Sequence, residues 1–306
     1  MPEYGTPIHS RGARRVRQAI ALSLVTVLVS VLAPIAVLAS RAGAASTIFY
    51  LDVGASVSVG VQPSVRSPHG QRTHAGYAND LVALEASKGV TLRLHEVGCP
   101  GESTTTMISG HDHCYHGTAT QLNAAVAYLS AHRDETGLVT IDLGFNDVMP
   151  CLRNEQFDPA CLTRHLSRVA SQLEQIIALL RAAAGPHVTF VGLGHYNPFL
   201  ADWLHGSRGQ AFATASVGAM SQLNQTLRDV YGSFSIPMAD VAAAFQPATN
   251  QPVDLAPFGP VPADVAHTCA MTWMCQPSPY GPNIHPTDLG YHAIASAIDA
   301  VLPAGW

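Results

Sequence analysis

The sequence is poor in charge and has none of the usual signs of disorder. Only 12% of its 306 residues are charged, whereas 47% are hydrophobic. It has no low-complexity tract, no internal repeat and no long charged tail. Chains that remain disordered combine high net charge with low hydrophobicity, so these absences exclude a disordered protein and favour a compact globular one.

An excess of basic residues is also missing. Five of the sixteen basic residues and one of the twenty-one acidic residues precede residue 45. The remaining chain therefore has eleven basic and twenty acidic residues, a net charge of about −9. A negative charge of this size argues against a nucleic-acid partner, because binding to phosphates requires a basic surface.

One long hydrophobic run is present, from Ala19 to Ala39. Four arginines precede it, and the small residues Ala42-Gly43-Ala44 follow it. This pattern predicts a signal peptide over residues 1–45, cut near Ala44, and hence a secreted protein. The alternative is an uncleaved anchor that holds the chain on the outer side of the membrane, since about 20 apolar residues can span a bilayer. Pro34 disfavours a permanent helix of this kind.

The remaining residues, 46–306, fit one domain with no interdomain linker. Short β-branched or apolar runs alternate with helical patterns, which indicates an α/β fold with a parallel sheet covered by helices. The predicted strands are Thr47–Val53, Val90–Val97, Leu138–Leu143, His187–Leu193 and, weakly, Ser233–Pro237. The predicted helices are Tyr77–Ser87, Thr118–His132, Thr163–Ala184, Gly209–Tyr231 and Thr287–Leu302.

Such a sheet binds ligands beyond the carboxyl ends of its strands, so we expect the chemistry just after Val53, Val97 and Leu143. The stretch from Gln246 to Pro282 is rich in proline and polar residues. It predicts a long ordered loop.

Six cysteines in an exported chain indicate disulfides. The sequence alone does not prove the pairing, but spacing groups the cysteines as Cys99 with Cys114, Cys151 with Cys161, and Cys269 with Cys275. Each pair would close a short loop, so we expect the bridges to hold loop shape more than global stability.

A serine and a histidine stand at positions where ester chemistry is expected. Ser56 lies on a glycine-framed turn after the first strand, Gly54-Ala55-Ser56-Val57-Ser58-Val59-Gly60. A serine hydroxyl becomes a nucleophile when a base lies beside it. His285 precedes the last helix, and we predict Pro286 at the first helical position, where it would fix the imidazole. Taken singly, each residue is more often a turn or capping residue.

Two further turns follow predicted strands and can supply an oxyanion hole. In Gly98-Cys99-Pro100-Gly101-Glu102-Ser103, Gly101 allows a backbone N–H to approach closely. In Gly144-Phe145-Asn146-Asp147, the Asn146 amide is a side-chain donor.

Taken in order, four segments resemble the blocks of the SGNH (GDSL-like) hydrolase superfamily. They read YLDVGASVSVGVQP, GCPGEST, TIDLGFNDV and GPNIHPTDLGYHAIA, and GHYNPFLADW is similar to the actinobacterial esterase branch. The resemblance implies a flavodoxin-like three-layer α/β/α sandwich. It also implies Ser56 as nucleophile, His285 as base, and Gly101 and Asn146 as oxyanion donors with the Ser56 N–H.

The sequence departs from the family pattern at two places. Ala55 replaces the aspartate of the GDS pattern, which mostly braces the loops around the site. Pro282 and Asn283 stand where the family usually has the acid that orients the histidine. The working hypothesis is a Ser-His dyad with His285 oriented by the Pro282 carbonyl. Three aspartates would serve instead if the fold brought them near, namely Asp254, Asp264 and Asp288.

The cluster His111-Asp112-His113-Cys114-Tyr115-His116 also has residue types that bind zinc. We favour a polar disulfide loop, because the resemblance implies a hydrolase that needs neither metal nor cofactor. Six apolar residues are expected on loops that rim the site, where they would suit acyl chains or simply pack in the core: Phe199, Leu200, Trp203, Phe258, Trp273 and Met274.

We therefore expect a secreted, monomeric esterase or lipase that hydrolyses acyl esters through an acyl-enzyme. The substrate is a small-molecule or lipid ester, and the N-terminal segment provides transient contact with a membrane. One alternative is an esterase of O-acetylated carbohydrates. The other is a catalytically inactive binding protein of the same fold at the cell surface, which Ala55 and the missing acid favour.

Overall fold

The computed structural model describes residues 47–110 and 113–303. The predicted signal peptide and its alternative, the anchor, lie outside the described residues, as do residue 46, His111 and Asp112. Among the described helices, none combines the length and the apolar character that crossing a membrane requires.

Strands and helices alternate along the chain. In chain order the strands are β1 (Thr47–Gly54), β2 (Thr91–Glu96), β3 (Gly137–Asp142), β4 (Leu152–Arg153), β5 (Gln156–Phe157), β6 (Val188–Leu193), β7 (Met238–Ala239), β8 (Val253–Leu255) and β9 (Gly259–Val261). The α-helices are α1 (Tyr77–Ser87), α2 (Thr104–Ser109), α3 (Gln121–Ala131), α4 (Phe145–Val148), α5 (Pro159–Ala183), α6 (Ser207–Ser233), α7 (Val241–Ala244), α8 (Ala263–Met271) and α9 (Asp288–Asp299).

Five strands form one parallel sheet in the order β2-β1-β3-β6-β7. This is the flavodoxin-like order, with β1 and β3 adjacent at the centre. Between these two strands the chain leaves to opposite sides of the sheet, which opens a crevice at their carboxyl ends. β4 with β5 and β8 with β9 form two separate antiparallel hairpins.

Helices cover both faces of the sheet, so the fold is a three-layer α/β/α sandwich. Successive side chains of a strand point to opposite faces. On β1, Leu51 and Val53 belong to the core shared with α3, α5 and α6. Ile48 and Tyr50 belong to the core shared with α1 and α9. All four side chains are buried, which is why β1 reads as a continuous apolar run.

The position predicted for the fifth strand, Ser233–Pro237, was wrong. Helix α6 continues to Ser233, and Ser235 then adopts a left-handed backbone with φ 55°. The N–H of Ile236 donates to the Tyr231 carbonyl at 2.9 Å, which closes the end of the helix. The strand is β7, and it begins only after this turn.

Two other predictions are corrected, and one helix was missed. The expected loop from Gln246 to Pro282 contains the β8–β9 hairpin and helix α8. Helix α2, which begins at Thr104, was not predicted. Pro286 does not start the last helix, because the hydroxyl of Thr287 caps α9 by accepting the Gly290 N–H. A single capping residue such as Thr287 determines where a helix begins, whereas the spacing of hydrophobic residues predicts that position only approximately.

The structure contains three disulfides, Cys99–Cys114, Cys151–Cys161 and Cys269–Cys275. They are the pairs that spacing grouped. Cys99–Cys114 follows β2, Cys151–Cys161 lies between α4 and the first turn of α5, and Cys269–Cys275 lies at the end of α8.

Candidate active site

Ser56, Asn146 and His285 line one small cavity at the carboxyl edge of the sheet. Its volume is about 20 Å³, which is space for about one water molecule. Ser56 reaches the cavity from the turn after β1, and Asn146 from α4 after β3. His285 comes from the segment before α9, so residues more than 200 positions apart meet at the crevice between β1 and β3.

The turn that carries Ser56 is held by main-chain and serine hydrogen bonds. The Ala55 N–H donates to the Asp142 carbonyl at 3.2 Å, and the Ser58 hydroxyl donates to the Ala55 carbonyl at 2.8 Å. A Cβ added to Gly98 would lie 2.1 Å from the Ser58 Oγ. Glycine at position 98 therefore lets the turn after β2 approach the turn after β1.

The Asn283 side chain fixes the orientation of His285. Its Nδ2 donates to the Pro68 carbonyl at 3.1 Å, and its Oδ1 accepts the His285 backbone N–H at 3.0 Å. A carbonyl only accepts and a backbone N–H only donates, so these two partners fix which way the amide points. Oδ1 also lies 2.6 Å from the His285 Nδ1.

This contact determines the tautomer of the imidazole. Because the Asn283 Oδ1 is an acceptor, the His285 Nδ1 must be the protonated nitrogen. In the neutral ring the Nε2 then has a free lone pair, as a general base requires. No hydrogen bond joins the Ser56 hydroxyl to His285 in the described part of the chain, and such contacts are often long before substrate binds.

No carboxylate among the described residues makes a hydrogen bond or ion pair with His285. Burial lowers the pKa of its imidazole to about 4. Asp288 accepts a hydrogen bond from Gln62, Asp254 lies on the exposed β8–β9 hairpin, and Asp264 lies at the start of α8. The Pro282 carbonyl was predicted to orient the imidazole. The Asn283 side chain contacts the His285 Nδ1 in its place.

Hydrogen bonds join the turns after β2 and β3. Asn146 Nδ2 donates to the Glu102 carbonyl at 2.9 Å. The Asp147 carboxylate accepts the Thr104 N–H at 3.0 Å and the Thr104 hydroxyl at 2.7 Å. Burial raises the pKa of Asp147, and the two bonds from Thr104 oppose that shift. These bonds set the distance between the two predicted oxyanion segments.

Three N–H groups near the cavity have no partner among the described residues. They are the backbone N–H groups of Ser56 and Gly101 and the second N–H of the Asn146 amide. Ser56 and Asn146 are half-buried and line the cavity, so their free N–H groups can donate to an oxygen bound there. Gly101 itself is exposed and does not line the cavity, although its neighbour Glu102 does.

Gln121 is a supporting residue that the sequence did not reveal. Its Oε1 accepts the Gly54 N–H and its Nε2 donates to the Gly54 carbonyl, both at 2.9 Å. The same Nε2 donates to the Glu102 carboxylate at 2.9 Å. One buried amide thus joins the end of β1 to the turn after β2. A glutamine at the start of a helix is common, so the sequence does not predict this role.

Asp142 and His195 form a second polar pair in the wall of the cavity. His195 Nδ1 lies 3.6 Å from the Asp142 Oδ1, and His195 Nε2 lies 2.9 Å from the Leu143 carbonyl. Asn224 holds the His195 backbone by one hydrogen bond to its N–H and one to its carbonyl. Burial raises the pKa of Asp142. Because both His195 nitrogens face protein groups, we interpret the pair as structural support.

In the histidine-rich loop, the structure describes residues 113–116 but not His111 and Asp112. Cys114 is bonded to Cys99, so neither sulfur is a thiolate that binds metal. His113 Nε2 lies 4.0 Å from the Cys99 sulfur.

Of the six apolar residues expected to rim the site, none lines this cavity. Phe199 is buried against Phe145 and Phe212, and Trp273 stacks on Tyr280. Phe258 is exposed on the β8–β9 hairpin. The expected apolar rim is therefore not formed at this cavity: Phe199 packs in the core, as the alternative expected, and Phe258 faces solvent.

Known proteins support this description of the fold. The chain is similar in structure to the extracellular lipase of Streptomyces rimosus, with a TM-score of 0.51 and 19% identity over 83% of this chain and 100% of that one. It is similarly related to phospholipase A1 of Streptomyces albidoflavus, with a TM-score of 0.52 and 18% identity over 83% and 99%. At these identities the similarity establishes the fold.

No curated protein sequence matches the chain. A family model does match it, over residues 53–293, and the matched region includes Ser56, Gly101, Asn146 and His285. The chain therefore belongs to the GDSL-like lipase/acylhydrolase family, a family of ester hydrolases.

Proposed function

We propose that this protein is a secreted serine esterase in which Ser56 and His285 cleave acyl esters, with Asn283 in the place of the usual acid. The observation that carries the proposal is the Asn283 amide, which leaves the His285 Nε2 unprotonated in the cavity that Ser56 also lines. Family membership supports ester hydrolysis in general.

The mechanism is acyl transfer. The Ser56 hydroxyl attacks the ester carbonyl while His285 Nε2 takes its proton. The charge that develops on the carbonyl oxygen is stabilised by the free N–H groups of Ser56, Gly101 and Asn146. His285 then returns the proton to the leaving alcohol, and water hydrolyses the acyl-enzyme to release the acid.

The cavity favours a short acyl group. A volume of about 20 Å³ accepts a group about the size of a methyl, whereas a long acyl chain needs a channel lined by apolar residues. None of the apolar residues expected to rim the site lines the cavity. We therefore expect an esterase of short acyl groups and not a lipase for long chains.

The test is hydrolysis of nitrophenyl esters from acetate to palmitate by the oxidised chain from residue 45 to 306. We expect the highest kcat/KM with acetate, and a loss of about 10³-fold or more in both Ser56→Ala and His285→Ala. Ser87→Ala, an exposed serine at the end of α1, is the matched control and should keep full activity.

A fluorophosphonate probe separates the enzyme from the inactive binding protein. Labelling of the wild type and none of Ser56→Ala would support the proposal. Equal ester hydrolysis by the wild type and Ser56→Ala would contradict it.

A further inference from the structure

Asp142 and His195 line the small cavity, and the proposed acyl transfer uses neither side chain. Both residues are buried, with exposed fractions of 3% and 6%. Asp142 is the last residue of β3, and His195 follows the end of β6. Both therefore stand at the carboxyl edge of the sheet, where a buried charge would act on the proposed reaction.

Two hydrogen-bond acceptors face the His195 ring, which in its neutral form has a single N–H. The ring Nε2 lies 2.9 Å from the Leu143 carbonyl oxygen, which can only accept, so Nε2 carries a proton. The ring Nδ1 lies 3.6 Å from the Asp142 Oδ1. If Asp142 were ionised and His195 neutral, the Nδ1 lone pair would face a carboxylate oxygen with no proton between them. The contact is favourable when the pair holds one more proton, on either partner.

The surroundings of Asp142 also disfavour a negative charge. Its Oδ2 is buried and has no hydrogen-bond partner in the described part of the chain. Burial raises the pKa of Asp142, and the nearby His195 and the N–H groups of Ala55 and Ser58 oppose that shift only in part. A buried carboxylate with an unpaired oxygen is costly in free energy, so the carboxyl gains from binding or sharing a proton.

A second buried carboxyl lies on the neighbouring strand. Asp52 of β1 is completely buried and accepts hydrogen bonds from the hydroxyls of Tyr77 and Thr140, both at 2.7 Å. Burial above all, and the nearby Glu96 and Asp142 in smaller part, raise the pKa of Asp52. Among the ion pairs of the described residues, none joins a lysine or arginine to Asp52 or Asp142. Negative charges on both carboxyls would therefore lack a basic partner of that kind.

We propose that Asp142 and His195 share one proton, so that the pair is neutral, holds the turn that carries Asn146 and keeps negative charge out of the cavity wall. His195 is the positioning residue, because its Nε2–H holds the Leu143 carbonyl at the start of that turn. Asn224 in turn fixes the His195 backbone at both its N–H and its carbonyl. The role in catalysis rests on the proposed esterase function, since an ionised Asp142 would repel the charge that develops on the ester carbonyl oxygen.

Spectroscopy at neutral pH tests the shared proton in Ser56→Ala, where no turnover interferes. The infrared difference against Ser56→Ala/Asp142→Asn should show a protonated carboxyl, or the NMR signals of the His195 ring should show both nitrogens protonated. Asp134→Asn, at an exposed aspartate, is the control and should remove an ionised carboxylate. An ionised Asp142 beside a neutral His195 would overturn the inference. Failure to hydrolyse any ester would count against the proposed function and not against the shared proton.

Kinetics with nitrophenyl acetate test the positioning role. His195→Ala removes the donor to the Leu143 carbonyl and should lower kcat by about 10²-fold with little change in KM, because the displaced donors act in the transition state. His195→Gln offers an amide N–H in place of Nε2–H and should recover most of that loss. His187→Gln, at an exposed histidine before β6, is the control and should keep full activity. Equal kcat in folded His195→Ala and His195→Gln would overturn the positioning role.

Discussion

At the scale of single residues, Asn283 is the most informative departure from the usual Ser-His-acid arrangement. An aspartate beside the imidazole would stabilise its charged form, but an amide does not. Burial lowers the pKa of His285 to about 4, and the amide does not oppose that shift, so the imidazole stays neutral down to a low pH. A site of this kind keeps its base active in acid, at the cost of a less stabilised imidazolium in the transition state.

Changing Asn283 to aspartate should move the pH dependence of activity in a predictable direction. A carboxylate near Nδ1 favours the protonated imidazole and raises the pKa of His285. In the wild type kcat/KM should fall only as the pH drops towards 4, because protonation removes the base. In Asn283→Asp this fall should occur at a higher pH. The measurement is kcat/KM for nitrophenyl acetate against pH.

Asn123→Asp, on the exposed side of α3, is the matched control and should leave the profile unchanged. Asn283→Asp also loses the hydrogen bond from Nδ2 to the Pro68 carbonyl. A pH profile that is identical in the wild type and Asn283→Asp would show that Asn283 does not contact the base during the reaction.

At the scale of elements, the loop closed by Cys269–Cys275 holds the segment that carries His285. The Trp273 N–H donates to the His285 carbonyl at 3.0 Å, and the Asn283 N–H donates to the Trp273 carbonyl at 3.2 Å. Trp273 lies between the two cysteines, so the disulfide constrains the backbone that positions both members of the His-Asn pair.

Removing this disulfide should therefore reduce activity more than removing another of similar size. The Cys269→Ser/Cys275→Ser variant should lose about tenfold in kcat/KM, because small displacements of a catalytic group are costly. The Cys151→Ser/Cys161→Ser variant should retain most activity. Both should lose about 2–3 kcal/mol of stability, since their loops differ little in length.

The checks are kcat/KM at a temperature where both variants are folded and the midpoint of urea unfolding. Similar losses of activity in the two variants would show that the Cys269–Cys275 loop acts only through global stability.

At the scale of the whole molecule, the three disulfides and the charge of about −9 suit an exported protein. The predicted signal peptide leads to an expected mature N-terminus at Ala45. Expression of the full chain in a bacterium with a secretion system should yield this form in the medium, as N-terminal sequencing would show. Full-length protein in the membrane fraction would support the anchor instead.

The sequence predicted much of the fold and of the candidate site. Long buried strands such as β1 and β3 were predicted nearly correctly, because a strand buried on both faces is apolar throughout. The short strand β7 was misplaced, since two residues carry no periodic signal and the left-handed turn at Ser235 fixed its start. The motifs named Ser56, Asn146 and His285, and the structure places all three around one cavity.

What the sequence determined by itself was therefore local: the order of strands and helices, the disulfide spacing and the motif residues that follow each strand. Only the tertiary structure decided which groups meet. The Asn283 amide that contacts His285 also donates to the Pro68 carbonyl, 215 positions away, and Gln121 reaches Gly54 across 67 positions. A hydrogen bond requires its two heavy atoms to lie within about 3 Å of each other. For residues far apart in the sequence, only the packing of the whole chain brings the atoms that close, and no local sequence pattern predicts it.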